Sequence, residues 1–243
     1  MSLCEILDWD SRFFGRTIAR YRRPCCAGAE LEALAAECAD RAIACVYLQI
    51  HPADRDSVVS LARTGAIFAD VRLTYDGAVT PLEETPLPPG TIVRRATDAD
   101  VPQLRTLAAA SHRLTRFYAD PHFSESRCDC LYETWIDNSV QGYADEVLVV
   151  DLRVDESMEI AGYVTCHREA AGHGRIGLFA VAGHRKGRGI GSALLNAAFA
   201  WFQARGVASV SVATQLRNAR AIRIYERAGL TLSEARVWFH YWS

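Results

Sequence analysis

Two short runs in the last third of the chain hold the residues best suited to chemistry. The first is Leu178-Phe179-Ala180-Val181, followed after four intervening residues by Lys186-Gly187-Arg188-Gly189-Ile190-Gly191-Ser192. An apolar strand enters a basic glycine loop, and the loop opens a helix. Glycines let the backbone approach a ligand because no Cβ stands in the way. The first N–H groups of a helix have no partner within it and lie at the positive end of its dipole. Together they make a cradle for a pyrophosphate, and Arg185, Lys186 and Arg188 add positive charge beside it. The second run is Asn218-Ala219-Arg220-Ala221-Ile222-Arg223-Ile224-Tyr225, ending at Ala228-Gly229-Leu230. Asn218 and Tyr225 stand two helical turns apart and so share a face. A phenol there, with an ordinary pKa of about 10, is a candidate proton donor.

Other readings of the loop fit less well. A P-loop needs a Lys-Ser/Thr pair after its last glycine, and here Ile190 and Gly191 follow Gly189 instead. A dinucleotide fold wants an acidic residue about twenty positions on, and none occurs between Glu169 and Glu226. A glycine turn that only packs remains the bland alternative, as does a core role for Tyr225.

The surrounding pattern supplies elements to position these runs. Leu194, Leu195, Ala198, Trp201 and Phe202 recur at spacings of three and four, which predicts a helix over 189–205 closed by Gly206. Strands are expected at 91–95, 146–153, 160–168, 175–181 and 209–213. A helix capped by Asp98 or Asp100 runs to about His112, and another carries Tyr132, Trp135 and Ile136 on one face. Residues 218–228 form a helix, and 235–242 an aromatic strand with a turn before it. That strand either pairs across a homodimer or finishes one sheet. Thr80 to Thr91 holds four prolines and a glycine, so 80–90 reads as a linker. It divides an N-terminal α/β region, 1–79, from a second domain, 91–243. The first region alternates too: helix 30–41, strand 44–50, helix 54–63, strand 67–75. Asp54, Leu61 and Gly65 repeat the spacing of Asn218, Tyr225 and Gly229. The repeat is either a degenerate half-copy or the chance recurrence of helix caps.

The two runs resemble those of the GNAT acyltransferases, whose loop reads Gln/Arg-x-x-Gly-x-Gly/Ala and whose helix reads Asn-x-x-Ala-x-x-x-Tyr-x-x-x-Gly-Phe/Leu. Lys186 departs mildly, standing where the family has Gln or Arg. The resemblance implies an α/β (α+β) fold with a mixed, mostly antiparallel central sheet flanked by helices. It implies acetyl-CoA as co-substrate. Phe179, Ala180 and Val181 would meet the pantetheine arm through their backbone. Lys186, Gly187, Arg188, Gly189, Ile190, Gly191 and Ser192 would hold the pyrophosphate, with Asn218 nearby and Tyr225 as catalytic acid. The oxyanion donor would be a backbone N–H near Val181. No carboxylate lies on 175–181, and His167 is a candidate relay to water. One of Arg217, Arg220 and Arg223 would reach the 3′-phosphate.

Three further stretches resemble the bacterial dTDP-fucosamine acetyltransferases: Leu7 to Gly15, Ser111 to Pro121 with Tyr132 to Ser139, and Val212 through Trp242. That resemblance implies an acceptor such as a dTDP-4-amino-4,6-dideoxyhexose, with Arg116, Phe117 and Tyr118 beside it and direct transfer through a ternary complex; the alternative for Phe117 and Tyr118 is that they anchor a loop into the core. N-acetylation of a protein N-terminus, an antibiotic or a small metabolite is the alternative, and a non-catalytic acyl-CoA-binding role the third.

Bulk composition is consistent with this. Of 243 residues, 50% are hydrophobic and 23% charged, and the net charge is −2. No basic excess suggests a nucleic-acid or membrane-surface partner. No apolar run reaches the ~20 residues of a membrane helix. The N-terminus does not read as a secretory signal, so a cytoplasmic protein with reduced thiols is expected. Cys25-Cys26 and Cys128-x-Cys130 lack zinc-ligand spacing, and no metal site is expected.

Overall fold

The structure is a computed structural model that describes residues 2–80, 87–154 and 157–243. Most of the proline-rich linker expectation falls on 81–86, outside the described residues. The chain runs β1 (Cys4–Ile6), α1 (Asp8–Phe14), β2 (Ile18–Tyr21), α2 (Ala29–Asp40), β3 (Cys45–Ile50), α3 (Arg55–Arg63), β4 (Ile67–Ala78) and β5 (Thr91–Arg95). It continues through α4 (Val101–Ser111), α5 (Arg116–Ala119), α6 (Glu125–Asn138), β6 (Glu146–Val154), β7 (Ser157–Arg168) and β8 (His173–Val181). The last elements are α7 (Ile190–Gln203), β9 (Ser209–Gln215), α8 (Ala219–Arg227) and β10 (Thr231–Trp242).

The described strands form one 10-stranded sheet in the order β1-β2-β3-β10-β4-β9-β8-β7-β6-β5. Only the β2–β3 and β8–β9 pairs are parallel. The mixed, mostly antiparallel sheet of the expectation is therefore present. The two regions share it, because β10 inserts between β3 and β4 of the first region. Both edges of β10 are occupied within the chain, so this strand does not offer an edge for pairing across a dimer.

Side-chain alternation assigns the layers. Val46, Leu48, Val237 and Phe239 pack with Leu34 and Leu61 of α2 and α3. Leu73, Tyr75 and Val212 pack with Leu194, Phe199 and Tyr225 of α7 and α8. These four helices cover one face. Tyr47, Val149 and Tyr163 project to the opposite face and meet α4, α5 and α6 through Leu104, Phe117 and Ile136. The apolar stripe of α7 is fully used: Leu194, Leu195, Ala198, Trp201 and Phe202 are all buried. No described helix is long and apolar enough to cross a membrane.

Several local expectations need correction. The helix after β5 is entered through a short 3-10 turn, Asp98–Asp100, whose cap is Thr97. Asp100 is the reciprocal partner in that capping box and does not cap the helix with its side chain. The final strand, with the turn before it at 228–229, is longer than expected. It starts at Thr231 and absorbs its irregularity in two bulges against β4, between Leu232 and Glu234 and between Trp238 and Phe239. The opening β1–α1–β2 unit carries no long periodic run and was not foreseen.

The repeated spacing has matching geometry. Asp54 accepts from Ser57 N at 3.1 Å, and Asn218 accepts from Ala221 N at 3.3 Å. Leu61 and Tyr225 are both buried. Gly65 and Gly229 close their helices at φ 81° and 79°, a left-handed turn that favours glycine. The strands that follow these two helices, β4 and β10, pair with each other.

Candidate active site

The site is built where β8 and β9 part. These parallel strands pair only from His173↔Ser209 to Ile176↔Val212. Beyond that point β8 runs on to Val181 and β9 to Gln215 without pairing to each other. The break coincides with a bulge on the other edge of β8, where its register with β7 shifts between Val164 and Cys166. Thr165 Oγ1 accepts from Leu178 N at 2.8 Å there and replaces a ladder bond. Gly177 is required at this point, since a Cβ would lie 2.6 Å from His167 Nε2 and 2.7 Å from Thr165 Oγ1.

Backbone N–H groups alternate along a strand. Leu178 N bonds Thr165, and Ala182 N bonds Ala161 O at 2.9 Å, both toward β7. The N–H groups of Phe179 and Val181 therefore point the other way, into the split. They are two aligned donors on a strand edge that has no neighbour.

A cavity of about 410 Å³ occupies the split. Of the residues expected to hold a cofactor, Phe179, Ala180, Val181, Lys186, Gly187, Ile190, Gly191 and Asn218 line it. Gly187 and Gly189 sit at φ 81° and 80°, so both need glycine, and Gly189 is the N-cap position of α7. Gly191 lets α7 approach α8, because a Cβ would stand 2.9 Å from Ile224 Cδ1. Arg188, Gly189 and Ser192 belong to the same turn but do not line the cavity. Arg185 is engaged by Glu159 at 2.7 Å, whereas Lys186 and Arg188 have no carboxylate partner among the described residues. Arg220 also lines the cavity, while Arg217 donates to Leu114 O at 3.0 Å. Unpaired helix-start amides, the unpartnered Lys186 and a loop with glycine at 187, 189 and 191 fit a pyrophosphate, and the Phe179 and Val181 amides fit an extended amide chain.

Tyr225 lies behind this wall at 2% exposure, its ring centroid 6.1 Å from Phe179 and 6.0 Å from Tyr75. Burial pushes its phenol well above the ordinary range and keeps it protonated. His112, which the sequence did not single out, also lines this cavity. Its Nε2 is 2.8 Å from the hydroxyl of Tyr163, the residue paired with Ala180. Burial lowers its pKa to about 4.

A second cavity, about 500 Å³, opens on the other side of β8. Its walls include Trp9 and Asp10 of α1, Trp135 of α6, Tyr143, His167 and Arg175. Gly177 and Leu178 belong to it, whereas the next residue, Phe179, belongs to the first cavity. Burial lowers His167 to about 4, so it is neutral near pH 7. Asp10 is the only carboxylate on this wall, and burial raises its pKa. The aromatic walls come from separate parts of the chain, which is why the sequence did not connect them.

The structure does not bring Arg116, Phe117 and Tyr118 to either cavity. Phe117 is a core residue at 2% exposure. Tyr118 donates to Asp129 Oδ1 at 2.7 Å. Arg116 stacks on the rings of Tyr47, Phe117 and Trp238 at 3.9, 4.0 and 4.3 Å. It also lies 3.0 Å from His240 Nε2, and His240 in turn bonds Asp120 at 2.6 Å through Nδ1.

Residues 110–230 match the acetyltransferase (GNAT) family. The chain is 35% identical over 145 residues to a dTDP-fucosamine acetyltransferase of Escherichia coli, covering 60% of this chain and 61% of that protein. It is 28% identical over 148 residues to the spore coat polysaccharide biosynthesis protein SpsD of Bacillus subtilis, covering 59% of this chain and 48% of that one. The matched stretch thus spans less than two thirds of either relative. In fold it is similar to a GCN5-related N-acetyltransferase from Sphaerobacter thermophilus, with a TM-score of 0.65 at 20% identity over 98% of this chain and 76% of the other.

Proposed function

Since the chain carries an acetyltransferase domain of the GNAT family, we propose that it moves the acetyl group of acetyl-CoA to the amino group of a nucleotide-linked 4-amino-4,6-dideoxyhexose, with both substrates bound together. One observation carries the reading: successive residues of β8 line the two cavities, Phe179 the first and Leu178 the second. A thioester laid along the first needs to pass only one strand to reach an amine in the second. The aromatic walls at Trp9, Trp135 and Tyr143 suit a base or a sugar face. The dTDP-fucosamine acetyltransferase similarity supports the choice of acceptor.

Acetyl-CoA supplies an activated acyl thioester. This chain's residues bind, orient and move protons around it. The loop amides at 187–191, with Lys186 and Arg188, take the pyrophosphate charge. The N–H groups of Phe179 and Val181 fix the pantetheine arm and face the oxyanion that develops at the carbonyl. Tyr225 keeps its proton for the departing thiolate, whose basicity rises as the C–S bond breaks. On the acceptor side, neutral His167 and Asp10 are the wall groups able to take the proton lost by the amine, directly or through water.

The first region acts as a degenerate half of the same design. It supplies Trp9 and Asp10 to the acceptor wall and β4 to the shared sheet. The test is release of free thiol from acetyl-CoA over a panel of dTDP- and UDP-linked amino sugars, simple amines and peptides. Turnover confined to a nucleotide amino sugar is expected. Turnover on peptides or simple amines alone would move the assignment to another acceptor.

A further inference from the structure

We propose that Arg72 and Arg175 form an anion site for the diphosphate of the acceptor, on the sheet face that adjoins both cavities. The proposal rests on the nucleotide-sugar reading and names the part of the protein that would recognise it. Register places the two residues on the strands that flank β9, opposite positions four residues apart along it. Arg72 on β4 pairs with Gln215 on β9, which lines the donor cavity. Arg175 on β8 pairs with Ser211 on β9 and lines the acceptor cavity. The neighbours of Arg72 and Arg175 in sequence, Leu73 and Ile176, belong to the core beneath α7 and α8. Both arginines therefore project from the opposite face.

The charge balance at Arg72 is unusual. It is half-buried, yet among the described residues no carboxylate lies within ion-pair distance and none bonds its guanidinium. None of its nitrogens is a buried unsatisfied atom, so solvent or a ligand can reach them. The charges that act on it are Glu234, Arg175 and Arg116. Glu234 is engaged by Arg236 at 2.8 Å, and Arg175 is held by Glu169 at 2.8 Å. Arg116 is tied to His240 and three aromatic rings. A half-buried guanidinium facing two other cations gains most from a dianion that bridges them. Arginine's planar fork suits phosphate oxygens.

The experiment uses the full chain saturated with coenzyme A, so that the glycine loop is occupied. Inorganic pyrophosphate and dTDP are titrated calorimetrically into the wild type and into Arg72→Gln, Arg72→Lys and Arg175→Gln. We expect both probes to bind the wild type, and each glutamine variant to weaken them by roughly tenfold or more. Arg72→Lys should retain part of the affinity, and coenzyme A affinity should stay unchanged throughout. Equal binding in the glutamine variants, or no binding to the wild type, would overturn the site. The two readings fail separately. Arginine-dependent binding without acetylation of any nucleotide amino sugar would leave the anion site and remove the acceptor assignment. Acetylation of a dTDP-amino sugar by Arg72→Gln with an unchanged KM would do the reverse.

Discussion

The hydroxyl of Thr165 accepts the backbone N–H of Leu178 at 2.8 Å, and this bond holds the bulge at which β8 turns from β9. Thr165 is fully buried, so Thr165→Val leaves a donor without a partner. That costs about 1–3 kcal/mol. Turnover should fall about tenfold while acetyl-CoA affinity, set by the loop, changes little. Steady-state kinetics alongside calorimetry would check this, and an unchanged kcat would remove the bulge from the account.

We propose Tyr225 as a proton donor, not as a binding group. Tyr225→Phe keeps the ring packing against Phe179 and Tyr75. We expect kcat to fall about a hundredfold, with the acetyl-CoA Kd within about twofold of wild type. Loss of affinity with kcat retained would assign Tyr225 to the core alone.

Gly189→Val tests the cradle. The residue sits at φ 80° at the start of α7, where a β-branched side chain is strained. Acetyl-CoA binding should be lost, while circular dichroism shows the fold retained. Normal binding would contradict the loop assignment.

Burial lowers His112, His167 and His240 to about 4 each. The unfolded chain takes up these protons near pH 6.5, whereas the folded chain resists them. Stability is therefore fully present above about pH 6.5 and falls as pH drops toward 4, by about 1.4 kcal/mol per pH unit for each histidine that stays neutral. Urea midpoints at pH 7.5 and 5.0 would measure it. A midpoint insensitive to pH in this window would mean that the three rings are not neutral and buried together.

The proposed donor half of the site was legible in the sequence because it is local. A glycine loop, an N-cap and a tyrosine two turns on lie within one stretch, and their spacing alone restricts their geometry. The acceptor half was not, because its walls are assembled from afar: Trp9 and Asp10 from α1, Trp135 from α6, His167 and Arg175 from the sheet. Arg116, Phe117 and Tyr118 are placed beside the acceptor by the resemblance, but a stacked arginine and a core phenylalanine carry the same letters as a ligand pocket. The place of β10 between β3 and β4 was hidden for the same reason, since alternation gives a strand's faces and not its neighbours.

The most direct test of the central claim, that donor and acceptor sit together on either side of β8, is the initial-velocity pattern with acetyl-CoA and a dTDP-4-amino sugar both varied. Intersecting double-reciprocal lines, and no acetylated protein on mixing with acetyl-CoA alone, are the predicted result. Parallel lines with a covalently acetylated chain would contradict direct transfer across β8 and place the acyl group on a residue of the protein first.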